Sequence, residues 1–267
     1  MKKVFLTGAS SGIGLAIAHA LLAHGDEVWG TSRNLIRLEP VLGIHHVRLD
    51  LSDSRSIDDA FKSALAAAGY FDVVINNAGS GHFGPAEQLS QEEIQKQFQT
   101  LLFGHLQLMR LALAAMRGRG KGLIINVTSL ASRLPVPFMA AYNAAKAAMA
   151  SFTMSIQLEL PDANIRIVDL QPADICTAFN DTILKGTTED PRYDNRVAKT
   201  WLAVDRNMKN APKPELVAEH VLRVIDSSNP PPRITVGDFF QTKIAPFIFR
   251  FLPQRVRLWG LKMYYGI

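Results

Sequence analysis

The chain has 267 residues, 48% hydrophobic and 20% charged, with one cysteine. That content buries an ordinary globular core and excludes a disordered chain, while a single cysteine excludes a disulfide framework or a cysteine-rich zinc site, so no metal is expected. The net charge of +5 does not mark a nucleic-acid partner: Lys243, Arg250, Arg255, Arg257 and Lys262 hold the whole excess in residues 239–267, which contain no acid. Residues 1–238 are neutral and lack a basic stripe to follow a phosphate backbone.

Two lysines and three apolar residues open the chain, too short a run for a signal sequence or a membrane span, and a cytoplasmic protein is expected. Val4–Thr7 reads as a strand, Ile13–His24 as a helix ending near Gly25, and Val28–Thr31 and His46–Leu49 as strands. Ile57–Ala68 reads as a helix, Val73–Asn76 as a strand, Glu92–Met116 as a long helix and Leu123–Val127 as a buried strand. Tyr142–Leu158 is a second long helix, followed by strand Ile165–Leu170, helix Pro214–Asp226 and strand Arg233–Val236. Strands alternating with helices imply right-handed crossovers, hence a doubly wound α/β fold: a parallel sheet of about seven strands with helices on both faces, in one domain. Residues 173–211 lack a clean period and read as a substrate lid, and residues 239–267 as a separate basic, aromatic tail.

The segment Thr7-Gly8-Ala9-Ser10-Ser11-Gly12-Ile13-Gly14 joins the first strand to the first helix. Gly8 permits a tight turn, Gly12 lets backbone approach a phosphate, and Gly14 lets helix pack on strand. The free N–H groups and positive dipole end of that helix then favour an anion. This segment, followed by Asn76-Asn77-Ala78-Gly79 and then Tyr142-Asn143-Ala144-Ala145-Lys146, resembles the short-chain dehydrogenase/reductases from about residue 3 to residue 236. The resemblance implies a Rossmann-type dinucleotide-binding catalytic domain over residues 1–238. It places the cofactor against Gly8, Ser10, Ser11, Gly12, Ile13, Gly14, Leu51, Asn77, Ala78 and Gly79.

The second strand ends in Thr31-Ser32-Arg33, where an NAD-specific site wants a carboxylate on the ribose hydroxyls. Ser32 stands where NAD-preferring members carry Asp, and Arg33 offers a guanidinium to a 2′-phosphate, with Arg37 a second candidate cation. NADP(H) is therefore the expected cofactor. The same resemblance gives Asp50 the adenine edge; capping the turn Asp50-Leu51-Ser52-Asp53 is its other reading.

Of the five tyrosines only Tyr142 has a lysine four residues on, which puts both side chains on one helix face. A nearby ammonium favours the phenolate, so Lys146 is expected to lower the Tyr142 pKa, and its three donors suit ribose hydroxyls as well. Ser129 matches the family's catalytic serine, which holds the substrate oxygen; Thr128 is the alternative for that role, with Ser129 a turn cap. Ser129, Tyr142 and Lys146 are thus the expected catalytic residues.

Leu101 stands where many members carry an asparagine that helps relay protons to the lysine; His105, one turn on, could substitute or simply pack. Gln171-Pro172-Ala173-Asp174-Ile175-Cys176-Thr177 resembles the family's Pro-Gly-x-Val-x-Thr loop, which puts Pro172, Ile175 and Thr177 beside the nicotinamide and leaves Cys176 structural. The tail holds 8 of the 22 aromatic residues among its arginines, consistent with an element lying on a membrane or with one packed over the cleft or a subunit interface. Both readings point to a small lipophilic carbonyl or alcohol substrate, with Val136–Met139, His82 and Phe83 as an apolar wall. The expected activity is NADPH-dependent carbonyl reduction. Alcohol oxidation with NADP is the alternative, and a non-catalytic sensor would need no tyrosine–lysine pair. The resemblance also implies a homodimer or homotetramer through the two long helices.

Overall fold

The structure, a computed structural model, describes residues 1–160, 164–186 and 191–267. Seven parallel strands form one sheet: β1 (Lys3–Leu6), β2 (Glu27–Ser32), β3 (His45–Arg48), β4 (Val73–Asn76), β6 (Gly122–Val127), β7 (Ile165–Pro172) and β9 (Arg233–Val236), in the order β3-β2-β1-β4-β6-β7-β9. Two-residue strands β5 (His82–Phe83) and β8 (Leu184–Lys185) pair separately. The strand order reverses between β1 and β4, and the crevice above their carboxyl ends is where such sheets bind ligands.

Alternation along each strand divides the core. Val4, Leu6, Ile75, Ile125, Val168 and Leu170 face helices α1 (Gly12–Ala23) and α8 (Glu215–Asp226). Phe5, Val74, Ile124 and Ile167 face α2 (Ser54–Ala68), α4 (Gly104–Arg119) and α5 (Ala140–Glu159). Successive side chains point to opposite faces, so a strand apolar throughout is covered on both sides. The expected fold class is the one observed.

Three regions differ from the sequence reading. The long helix begins with α3 (Gln91–Phe98), capped by a reciprocal Ser90–Glu93 box, passes through a π-helical turn at Gln99–Phe103 and continues as α4 to Arg119. The stretch expected to lack a period contains α6 (Phe179–Thr182), β8 and the 15-residue α7 (Arg196–Asn210). Val197, Thr200 and Ala203 form the buried side of α7. The tail folds into a π-helical turn, α9 (Ala245–Phe251) and α10 (Gln254–Tyr265). Among the described residues no helix is long and apolar enough to cross a membrane, and no group of three potential ligands could hold a metal.

Candidate active site

The turn from β1 into α1 is built around glycine. A Cβ on Gly14 would stand 2.0 Å from the Gly8 carbonyl oxygen and 2.5 Å from Asn77 Nδ2, so no other residue fits. Gly8 has φ +71°, in the left-handed region. The Gly8 N–H donates to Thr31 Oγ1 (3.3 Å) and the Ala9 N–H to the Thr31 carbonyl (3.0 Å), which moors the loop to β2. Asn77 secures its other side, donating through Nδ2 to the Thr7 carbonyl (2.9 Å), while Thr7 Oγ1 accepts from the Asn77 and Ala78 N–H groups. Asn77 thus acts as a positioning residue for the loop. Ser11, at the N-cap of α1, makes no side-chain cap, and the first turn holds no acid. Its N–H groups and dipole end are therefore open to an anion, and the residues fit a dinucleotide diphosphate. Thr177 stands across this loop, 3.6 Å from where a Gly12 Cβ would lie.

At the adenosine end Ser32 is buried, its Oγ accepting from the Asn34 N–H (3.3 Å). Arg33 is exposed and makes no hydrogen bond or ion pair among the described residues. Asp50 shows the turn-capping geometry: Oδ1 accepts from the Ser52 N–H (2.9 Å) and Oγ (2.7 Å). Against partial burial, which raises it, the Ser52 bonds and the Arg33 and Arg48 charges hold its pKa below the usual value. Arg48, register partner of Ser32 across β2 and β3, is a second cation here that motif reading misses. Leu51 is buried in the core beside α2.

Ser129 lies two residues past the end of β6, and Tyr142 and Lys146 lie one turn apart on α5. Ser129 Oγ accepts from the Ala131 N–H (3.1 Å), capping the turn, and lies near enough to the Tyr142 phenol to favour its ionised form. Thr128 is buried and donates to the Asp169 carboxylate instead, away from the phenol. Lys146 is buried, with Nζ donating to the Val127 carbonyl (2.8 Å) and 6.0 Å from the Tyr142 ring centroid. The expected lowering of the tyrosine pKa by this lysine is not what the geometry gives. Burial pushes the phenol above its ordinary value, the Ser129 hydroxyl opposes this, and the Asp174 carboxylate adds to it. Lys146 itself is pushed down to about 8 by burial, with Asp169 opposing. At neutral pH the site therefore holds a protonated phenol beside an ammonium with donors to spare.

Leu101 lies in the π-helical turn, fully buried, 3.1 Å from where a Gly79 Cβ would be; the same point is 4.0 Å from Lys146 Nζ. His105 is buried beside them, with Nδ1 3.4 Å from the Leu101 carbonyl oxygen and Nε2 unpartnered. Burial, and then the Lys146 charge, push it down to about 3, so it stands neutral. Phe83, Val136, Phe138 and Met139, expected as an apolar wall, pack into one cluster. Phe83 is fully buried, with its ring 5.0 Å from Trp201 and 5.9 Å from Phe138, and Phe179 packs 5.9 Å from the Tyr142 ring. Phe138 holds φ +62°, a strained conformation for a bulky residue, at the entry to α5. Pro172 and Ile175 are buried, and Cys176 is an exposed free thiol. Asp174, which the motifs do not single out, binds Gln241 of the tail, and burial pushes its carboxyl up. A cavity of about 690 Å³ between α8, β9 and the start of the tail lies apart; none of its lining residues is among those above.

Comparison with known proteins agrees with this arrangement. The family model described as short chain dehydrogenase matches residues 2–187. A 3-ketodihydrosphingosine reductase of Bacteroides thetaiotaomicron is 30% identical over 99% of this chain and 98% of its own. A short-chain dehydrogenase from Streptomyces avermitilis superposes with a TM-score of 0.81 at 28% identity, covering 98% of this chain and 93% of its own. With the glycine cradle, the strand order and the family model all in accord, the chain belongs to the short-chain dehydrogenase family of oxidoreductases.

Proposed function

We propose that the protein reduces the carbonyl of a lipophilic ketone or aldehyde, with a long-chain keto-lipid the best fit, using NADPH. The observation that carries the reading is the grouping of Ser129, after β6, with Tyr142 and buried Lys146 one turn apart on α5, beside a cluster of aromatic side chains. Ser129 and Tyr142 would hold the carbonyl oxygen, and the phenol, protonated at neutral pH, would give it the proton as charge develops there. Burial keeps the phenol protonated at neutral pH, the form this acid role needs. Lys146 has donors left for ribose hydroxyls, Thr177 faces the cradle, and the remaining Asp50 oxygen suits an adenine amine. Bound there, the nucleotide supplies the hydride. His105, neutral and with Nε2 unpartnered, is placed to take the part of the missing asparagine behind Lys146.

For substrate, the aromatic cluster of Phe83, Phe138, Phe179, Tyr193 and Trp201 offers apolar contact, with Lys185 at its edge over the Trp201 ring (4.0 Å). The 3-ketodihydrosphingosine reductase relative is named for a long-chain keto substrate, which supports the same class. For cofactor, the absence of a carboxylate at Ser32 and the unpaired Arg33 beside Arg48 support the 2′-phosphate. A homodimer or homotetramer through α3–α4 and α5 is supported by exposed Phe103, Met154 and Leu158. The test is titration with NADPH and NADH, followed by nucleotide fluorescence. Arg33→Ala is expected to weaken NADPH about tenfold to a hundredfold and leave NADH unchanged. Equal parent affinities would remove the NADP assignment, and binding of neither would remove the oxidoreductase mechanism.

A further inference from the structure

We propose that residues 239–267 form a docking surface for an anionic lipid bilayer, inserting Phe247, Phe251 and Trp259 while basic side chains meet the lipid phosphates. In α10 the body-facing line is Arg257, Leu261 and Tyr265, with Tyr265 buried. At 3.6 residues per turn Val256, Trp259 and Met263 fall on the opposite side, and the latter two are 64% and 65% exposed. Arg255 and Lys262 fall along one flank of that apolar line. In α9, Phe247 and Phe251 are one turn apart, 66% and 69% exposed, with their rings in edge contact at 5.2 Å. Scattered exposed apolar residues are ordinary; a row of them along two successive helices marks an interaction surface.

Charge identifies the occupant. Arg257 is used internally, donating to the Leu252 and Arg250 carbonyls and lying over the Phe249 ring. Lys243, Arg250, Arg255 and Lys262 make no ion pair among the described residues, and the tail holds no acid to answer them. A second copy docked face to face would set these cations against their own equivalents. An anionic bilayer answers both features at once, taking the aromatic rings at the headgroup level and the cations at its phosphates. The contact is peripheral, since no described helix can span. The surface is tied to the lid: Gln241 bonds Asp174 and donates to the Tyr264 hydroxyl (3.0 Å), which also accepts from Asn207 of α7 (3.0 Å). Docking would therefore set the lid side of the cleft against acyl chains, a consequence that rests on the lipophilic-substrate reading, whereas the docking itself does not.

The experiment is co-sedimentation of the full chain with vesicles of phosphatidylcholine alone and with 3:7 phosphatidylglycerol:phosphatidylcholine, together with tryptophan emission; it needs neither nucleotide nor turnover. Binding to the anionic vesicles, weakened by salt and accompanied by a blue shift that Trp259→Phe removes, is expected. Arg255→Gln with Lys262→Gln should weaken that binding about thirtyfold. Phe247→Glu with Trp259→Glu should abolish it and leave circular dichroism and the thermal unfolding midpoint unchanged. Failure to bind anionic vesicles, or equal binding to neutral ones, overturns the proposal. So does an oligomer that the glutamate variants dissociate without changing sedimentation, since a second copy would then be the occupant.

Discussion

The nucleotide end and the lid end of this crevice are built from opposite materials. The nucleotide end is backbone: Gly8 to Gly14, with side chains such as Thr7, Thr31 and Asn77 turned inward to hold the loop. The lid end is bulk: Phe83, Phe138, Tyr193 and Trp201 in tilted and edge contacts, with Phe179 against the Tyr142 ring and Phe138 strained to fit. A loop shaped by the absence of side chains fixes the position of a ligand common to many enzymes. A wall of large side chains would, under the proposed function, select the second molecule.

Substitutions can break that contrast. Between the two ends lies Tyr142, and Tyr142→Phe should lower turnover of a ketone by about 10²–10⁴ while NADPH titrates as in the parent. Retained turnover would place the proton donor elsewhere. Gly14→Ala attacks the backbone end: its Cβ would meet the Gly8 oxygen at 2.0 Å. A loss of about 3 kcal/mol in denaturant unfolding, with weakened nucleotide binding, is expected; an unchanged midpoint would show that the loop yields.

Smaller effects test the groups between. His105 is held near pKa 3 in the fold against 6.5 when free, so the unfolded chain binds the extra proton and stability is lost as pH falls through that window. His105→Gln should flatten the acid limb of the stability curve between those values and shift the pH profile of turnover several-fold. A parallel limb would mean that another group controls it. Asp174 is the opposite case. Its folded pKa is raised above 3.8, so its favourable contribution is complete below 3.8 and lost as pH rises through the folded value. Asp174→Asn should raise Tm by about 2 °C at pH 7, with the gain vanishing toward pH 3.8.

The same contrast decides what could be read from the sequence. Glycine spacing reports backbone geometry directly, so the cradle, the alternating elements and the positions of Ser129, Tyr142 and Lys146 along them were legible. Burial depth was not. The four-residue spacing puts Tyr142 and Lys146 on one face, but only the fold shows Lys146 turned to the Val127 carbonyl while Asp174 approaches the phenol. The lid helix was missed for another reason. α7 starts from Asn195 at φ +61°, with no side-chain cap, and its buried line of Val197, Thr200 and Ala203 is weakly apolar. Val197, Trp201, Val204 and Met208 at helical spacing were the available signal. The short ladder between β5 and β8 joins residues 102 apart in sequence and left none.

The π-helical turn at Gln99–Phe103 also constrains how this chain can change in length. A turn closed by i→i+5 bonds takes up one residue more than an α-turn, so a one-residue deletion here would let the helix run on as α with its two ends in phase, whereas the same deletion in the flanking α-helical turns would swing one end about 100° against the other. Both ends are committed. Upstream, Gln97 donates to the Ser80 carbonyl and Glu93 faces His82 at 3.7 Å; downstream, His105 packs beside Lys146. The bulge lets one helix satisfy two neighbourhoods whose phases do not match. A one-residue deletion in the flanking turns of α3 or α4 should therefore be tolerated worse than one within the π-helical turn itself.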